Sequence, residues 1–138
     1  MNTRAQQDLK LAEKLISDVE KQYPDEEHKV RKTYGSLCHS FPVMVRTAGL
    51  CQAVAFSQAK AQADDERIKK AHSLLLHHVE KIAAQIEPSL GEGKLLEAIR
   101  NASATQYMLY TRRILSAWIY FKRFAESILK VKAGEVQD

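Results

Sequence analysis

Apolar residues recur along this chain at helical spacing with little interruption. Ala5, Leu9, Ala12, Ile16, Val19 and Tyr23 follow one another by steps of four and three. That spacing aligns one stripe on a helix and predicts a first helix over about 3–23. Thr3 is suited to cap it, because its hydroxyl accepts from a free amide of the first turn, and Pro24 disfavours helical geometry at Tyr23. A second helix is predicted from Asp25 to about Ser40, with Asp25, Glu26 and Glu27 at the positive end of its dipole. Val30, Tyr34, Leu37 and Cys38 form its buried side, and Gly35 in its middle marks a kink or the close approach of another backbone. Pro42 reads as the first residue of a third helix, where its missing amide hydrogen costs nothing. That helix continues to about Ala63 through Val45, Ala48, Gly49, Ala53, Phe56 and Ala59, whose small residues suit tight contact.

Asp64 or Asp65 then caps a fourth helix carrying Ile68, Ala71, Leu75, Val79, Ile82 and Ile86. The run Glu87-Pro88-Ser89-Leu90-Gly91-Glu92-Gly93 is a loop signal. Leu95, Leu96 and Ile99 predict a short helix after it. A final long helix over about 104–132 carries Tyr107, Ile114, Phe121 and Ile128 at sevens with Trp118 and Ala125 between, and Gly134 ends it. Five Gly and three Pro in 138 residues are about half the usual share, too little punctuation for a sandwich, barrel or propeller. With 45% apolar residues, no repeat and no dividing linker, residues 1–138 are expected to form a single helical domain. The fold class is all-α: a single compact antiparallel bundle of five or six helices with a long C-terminal helix.

Charge adds a pattern that the net value of +4 hides. Residues 1–27 sum to −3, residues 28–63 to +5 with no acid, residues 64–103 to −1, residues 104–133 to +5 and the tail 134–138 to −2. Two basic segments of that kind attract polyanions. No apolar run approaches the roughly 20 residues of a membrane span, and the first residues lack the apolar core of a signal peptide. Cys38 and Cys51 are too few for a disulfide scaffold, so a cytoplasmic protein with reduced thiols is expected.

Candidate chemistry is sparse. There is no phosphate-binding glycine loop, nucleophile elbow or paired-thiolate motif. His72 and His77 stand roughly 140° apart around a helix and share no face. His77 and His78 point apart, and Cys38-His39 with Cys51 matches no zinc spacing. Asp64, Asp65 and Glu66 at a helix start are explained by capping. No catalytic residue, cofactor or metal is expected. The candidate contacts for a polyanion are Lys29, Arg31, Lys32, Arg46, Arg112, Arg113, Lys122 and Arg123, with Tyr110 and Tyr120 close by for stacking. Phosphate contact by such residues is independent of base sequence and sensitive to salt.

The stretch Tyr34-Gly35-Ser36-Leu37-Cys38-His39-Ser40-Phe41-Pro42, continued by Gly49-Leu50-Cys51-Gln52-Ala53-Val54-Ala55-Phe56, resembles the signature of a known family. That family is the small subunit of the Cmr-type (type III-B) CRISPR RNA-guided effector complex. The opening Arg4-Ala5-Gln6-Gln7 and a long last helix with Trp118 agree with it. The resemblance implies a non-catalytic subunit, copies of which stack head to tail opposite the backbone subunits that carry the guide RNA. It also implies contact with the backbone and large subunits and support of the guide–target RNA duplex in antiviral defence. Cleavage and nucleotide cyclisation fall to other subunits, and no membrane is involved. No residue-level RNA motif comes with the resemblance, so the eight cations rest on charge and position alone, and Gly35, Pro42 and Gly49 read as structural. Two alternatives stay open: a protein–protein interaction bundle that never contacts nucleic acid, and, more distantly, a metal- or cofactor-dependent bundle enzyme.

Overall fold

The computed structural model describes residues 2–134. Met1 and residues 135–138, including the acidic Glu135 and Asp138 of the tail, lie outside it. Six helices follow one another: α1 (Arg4–Gln22), α2 (Lys29–Ala48), α3 (Leu50–Lys60), α4 (Glu66–Ile86), α5 (Leu95–Arg100) and α6 (Ala104–Ser127). Local chemistry accounts for most of their ends. Thr3 and Gln6 form a reciprocal capping box at α1, with bonds of 3.1 and 2.8 Å. Asp65 Oδ1 accepts from the amides of Arg67 and Ile68 at α4, and Ser103 caps α6. The second helix starts later than its acidic residues suggested, because His28 is the cap and its Nδ1 accepts from the Val30 amide at 3.1 Å.

The break expected before Pro42 is absent. Proline has no N–H to offer the carbonyl one turn back, so the Cys38 carbonyl lacks its partner within the helix. Trp118 Nε1 of α6 donates to that carbonyl at 2.8 Å, and α2 runs on through Pro42. The break falls instead at Gly49, whose φ of +93° few other residues adopt. Tyr107 Oη then accepts from the Cys51 amide at 2.9 Å at the start of α3. The long last helix also stops short of 132. It ends at Ser127, after which Lys130 takes φ +64° and the Val131 amide reaches back to the Ala125 carbonyl at 2.9 Å. This turn lays Val131 against Gly35, where an added Cβ would meet the Val131 side chain at 2.6 Å. Gly35 therefore admits a side chain rather than a backbone.

One core draws side chains from all six helices, including Ile16, Tyr34, Leu50, Leu75, Ile99, Trp118 and Phe121. The Trp118 and Phe121 rings stack at 4.4 Å, and Phe41 leans on Trp118 at 5.0 Å. α2 packs against α3, α4 and α6, while α1 lies on α6. Two polar anchors fix the α1–α6 pair. Asp8 holds Arg113 in a bidentate pair, and Arg31 bridges the Tyr23 and Pro24 carbonyls to those of Ile128 and Leu129. Fifteen residues separate Asp8 from Tyr23, and fifteen separate Arg113 from Ile128. The first and last helices therefore run parallel, while α2 runs antiparallel to α6, with Arg31 beside Leu129 and Cys38 beside Trp118.

Candidate nucleic-acid interface

Three of the eight cations singled out from the sequence are already engaged. Arg31 is 1% exposed and gives all its donors to backbone carbonyls at the C-terminal exits of α1 and α6. Oriented carbonyls at helix ends carry partial negative charge, which makes a carboxylate unnecessary there. Arg113 is 7% exposed and donates to Asp8 at 3.1 and 3.2 Å and to Gln85 Oε1 at 3.3 Å. Both are corrections to the sequence expectation: neither guanidinium faces solvent, so neither offers a donor to a phosphate. Lys32 is half-buried and pairs with Glu27 at 3.1 Å. Tyr110 is also buried, so its ring presents no stacking face, while Tyr120 is half-buried.

The other five remain at or near the surface, and three of them line one groove. A groove of about 380 Å³ opens between the C-terminal halves of α2 and α6. Arg46 stands on the α2 side, Lys122 and Arg123 on the α6 side, and Pro42, Leu115, Trp118 and Ile119 give it an apolar lining. Antiparallel packing of α2 on α6, fixed by the Trp118–Cys38 bond, sets Arg46 to one side of that bond and Lys122 and Arg123 to the other, so that the three are spread along one groove. A second depression of about 580 Å³ adjoins it, sharing Arg123 and Glu126 and adding Phe124, Lys130 and Lys132. Among the described residues, Arg46, Lys122, Arg123 and Lys130 make no ion pair or side-chain hydrogen bond. Their potentials therefore add along one strip. Lys29 lies about 26 Å from Arg46 along α2, and Arg112 about 15 Å from Lys122 along α6. Both are exposed and outside the groove.

Lys130 was not among the expected contacts, because an irregular turn, not a helix face, brings it to the strip. Its position in a basic run after Arg123 was the only signal available.

The soft ligands do not assemble. Among the described residues no group of three His, Cys, Asp or Glu side chains is placed to hold a metal. Cys38 is buried, and burial pushes its thiol up to about 12, far from a reactive thiolate. His39 Nε2 donates to the Val131 carbonyl at 2.9 Å, which holds the C-terminal turn. His72 meets Ser57 Oγ at 3.1 Å. Burial, with the neighbouring His77 second, depresses His78 to about 3. His78 is therefore neutral, and its Nδ1 shares a hydrogen bond with the Tyr34 hydroxyl. No described helix is long and apolar enough to cross a membrane.

A family model described as CRISPR-associated protein (Cas_Cmr5) matches residues 4–128, nearly the whole chain. The chain belongs to the Cmr5 family. A relative in Thermus thermophilus described as CRISPR system Cmr subunit Cmr5 is 37% identical over 100 residues, covering 72% of this chain and 78% of the relative. The X-ray crystal structure of a CRISPR-associated Cmr5 family protein from Thermus thermophilus superposes with a TM-score of 0.69 at 31% identity. That match covers 93% of this chain and 98% of the other. The Cmr5 match spans both helices of the groove and stops just after α6. Lys130, in the turn beyond, falls outside it.

Proposed function

We propose that this Cmr5-family chain is a non-catalytic structural subunit of a type III-B CRISPR RNA-guided complex. In this reading it stacks with copies of itself beside the backbone and large subunits in the cytoplasm, and supports the guide–target RNA duplex during antiviral defence. The observation that carries the RNA contact is the placing of Arg46, Lys122 and Arg123, none of them in an ion pair, along one groove. A subunit serving any guide needs contacts with phosphate and ribose, not with base edges. Duplex RNA suits this, because its deep major groove hides the bases while phosphates and 2′-hydroxyls stay accessible.

The test is binding of a short RNA duplex to the full chain and to a Lys122→Glu/Arg123→Glu variant, with helicity checked in parallel. Affinity should fall by about tenfold or more at unchanged helicity, and the salt dependence should flatten as phosphate contacts are lost. Lys81→Glu on α4, which lines neither the groove nor the depression beside it, serves as a control and should have little effect. Equal affinity in all three proteins would remove the groove from the RNA face.

A second reading, a bundle that docks only on protein, draws on Val43, Met108 and Ile119, which are 55%, 58% and 49% exposed. Native capture of the tagged chain separates the two. Co-purifying proteins without RNA, undisturbed by competing duplex, would favour the second reading.

A further inference from the structure

Among the described residues, Glu126 is the single carboxylate lining the groove and the depression beside it. The surrounding cations favour a carboxylate there, but the helix dipole does not. Glu126 lies in the last turn of α6, where the helix dipole disfavours negative charge. Lys122 precedes it by four residues, the weaker order for a helical pair, and no ion pair forms. Glu126 also faces into a strip that otherwise attracts phosphate, and so weakens the attraction. A carboxylate is an acceptor without donors, and the ribose 2′-hydroxyl is the donor that distinguishes RNA from other phosphodiesters.

We propose that Glu126 selects ribose-containing strands: Arg46, Lys122 and Arg123 hold phosphates while Glu126 accepts a hydrogen bond from a 2′-hydroxyl. A backbone without that hydroxyl meets the repulsion and gains nothing in return. This rests on the reading of the groove as an RNA-duplex face and names the group that gives it specificity. The assignment differs from base readout, since every ribose carries the same donor.

The probes are an RNA duplex and the same duplex with 2′-fluorine in place of every 2′-hydroxyl, which keeps the phosphates and the A-form geometry but removes the donor. Anisotropy titrations on the full chain should show a preference of about tenfold for the hydroxyl duplex, the scale of one hydrogen bond to a charged group. Glu126→Ala should bring the two affinities together, mainly by tightening the grip on the fluoro duplex. An unchanged preference in the variant, or none in the wild type, overturns the assignment of Glu126. If the Lys122→Glu/Arg123→Glu variant still weakens both duplexes, that failure is confined to Glu126. If charge reversal changes neither, the RNA face itself is overturned.

Discussion

At the scale of single residues, a cation's neighbours one helical turn away decide whether it faces solvent. Tyr110 and Ala117, three before and four after Arg113, are buried, so Arg113 shares their inward face. Arg112 is flanked instead by the exposed Met108 and Ser116. Asp8 carries the matching signal, because it precedes Ala12 by four and Leu15 by seven on the buried stripe of α1. A carboxylate and a guanidinium each embedded in an apolar stripe announce a buried pair, yet the expected stripe began at Ala5 and Leu9, and Leu9 is exposed. Asp8→Ala would leave the Arg113 charge buried without its partner. It should cost about 3–5 kcal/mol, read as a lower denaturant midpoint. Arg123→Glu should change stability by no more than about 0.5 kcal/mol while weakening duplex binding. Gly35→Ala tests packing against propensity. In an open helix alanine gains about 1 kcal/mol over glycine, but the added methyl collides with Val131 at 2.6 Å, so a loss of about 1–3 kcal/mol is expected in the same denaturation measurement.

At the scale of helices, the stripes predicted all six elements, and the caps at Thr3 and Asp65 were legible because each acts within one turn. The division between α2 and α3 was not. A proline reads locally as a helix start, and only a donor 80 residues away in sequence lets α2 continue. The same dependence makes Trp118 and Pro42 energetically coupled. Trp118→Phe leaves the Cys38 carbonyl buried and unpaired and should cost about 1–3 kcal/mol. Pro42→Ala supplies an amide to that carbonyl, so in the double variant the loss should shrink. A double-mutant cycle showing strict additivity would mean that the indole matters only for its bulk.

At the scale of the whole molecule, part of the basic strip was visible as charge: Arg46, Lys122 and Arg123 stood out in the two basic segments. Arg31 misled for the same reason, since composition does not distinguish a solvated guanidinium from one closing two helix ends. The interior also sets a response to acid through His78. Its ring stays neutral in the fold down to about 3, whereas the unfolded chain takes up the proton near 6.5. Between those values the unfolded state binds more protons, so stability falls as pH falls through that window. The contribution should be about 2 kcal/mol between pH 7 and pH 5. His78→Gln should flatten urea midpoints over that range, and an undiminished slope would assign the response to other groups.

The parallel pairing of the first and last helices bears on how the chain is made. Of the six helices α1 is synthesised first, but the helix on which it lies is made after the other five. At about 5–20 residues per second, Ala12, Leu15, Ile16 and Val19 wait on the order of 5–20 s for that partner. Nascent chains stalled before Ala104 expose that stripe and are natural clients for chaperones. The bundle therefore completes only once α6 has been made, when the residues that line the basic groove are also in place.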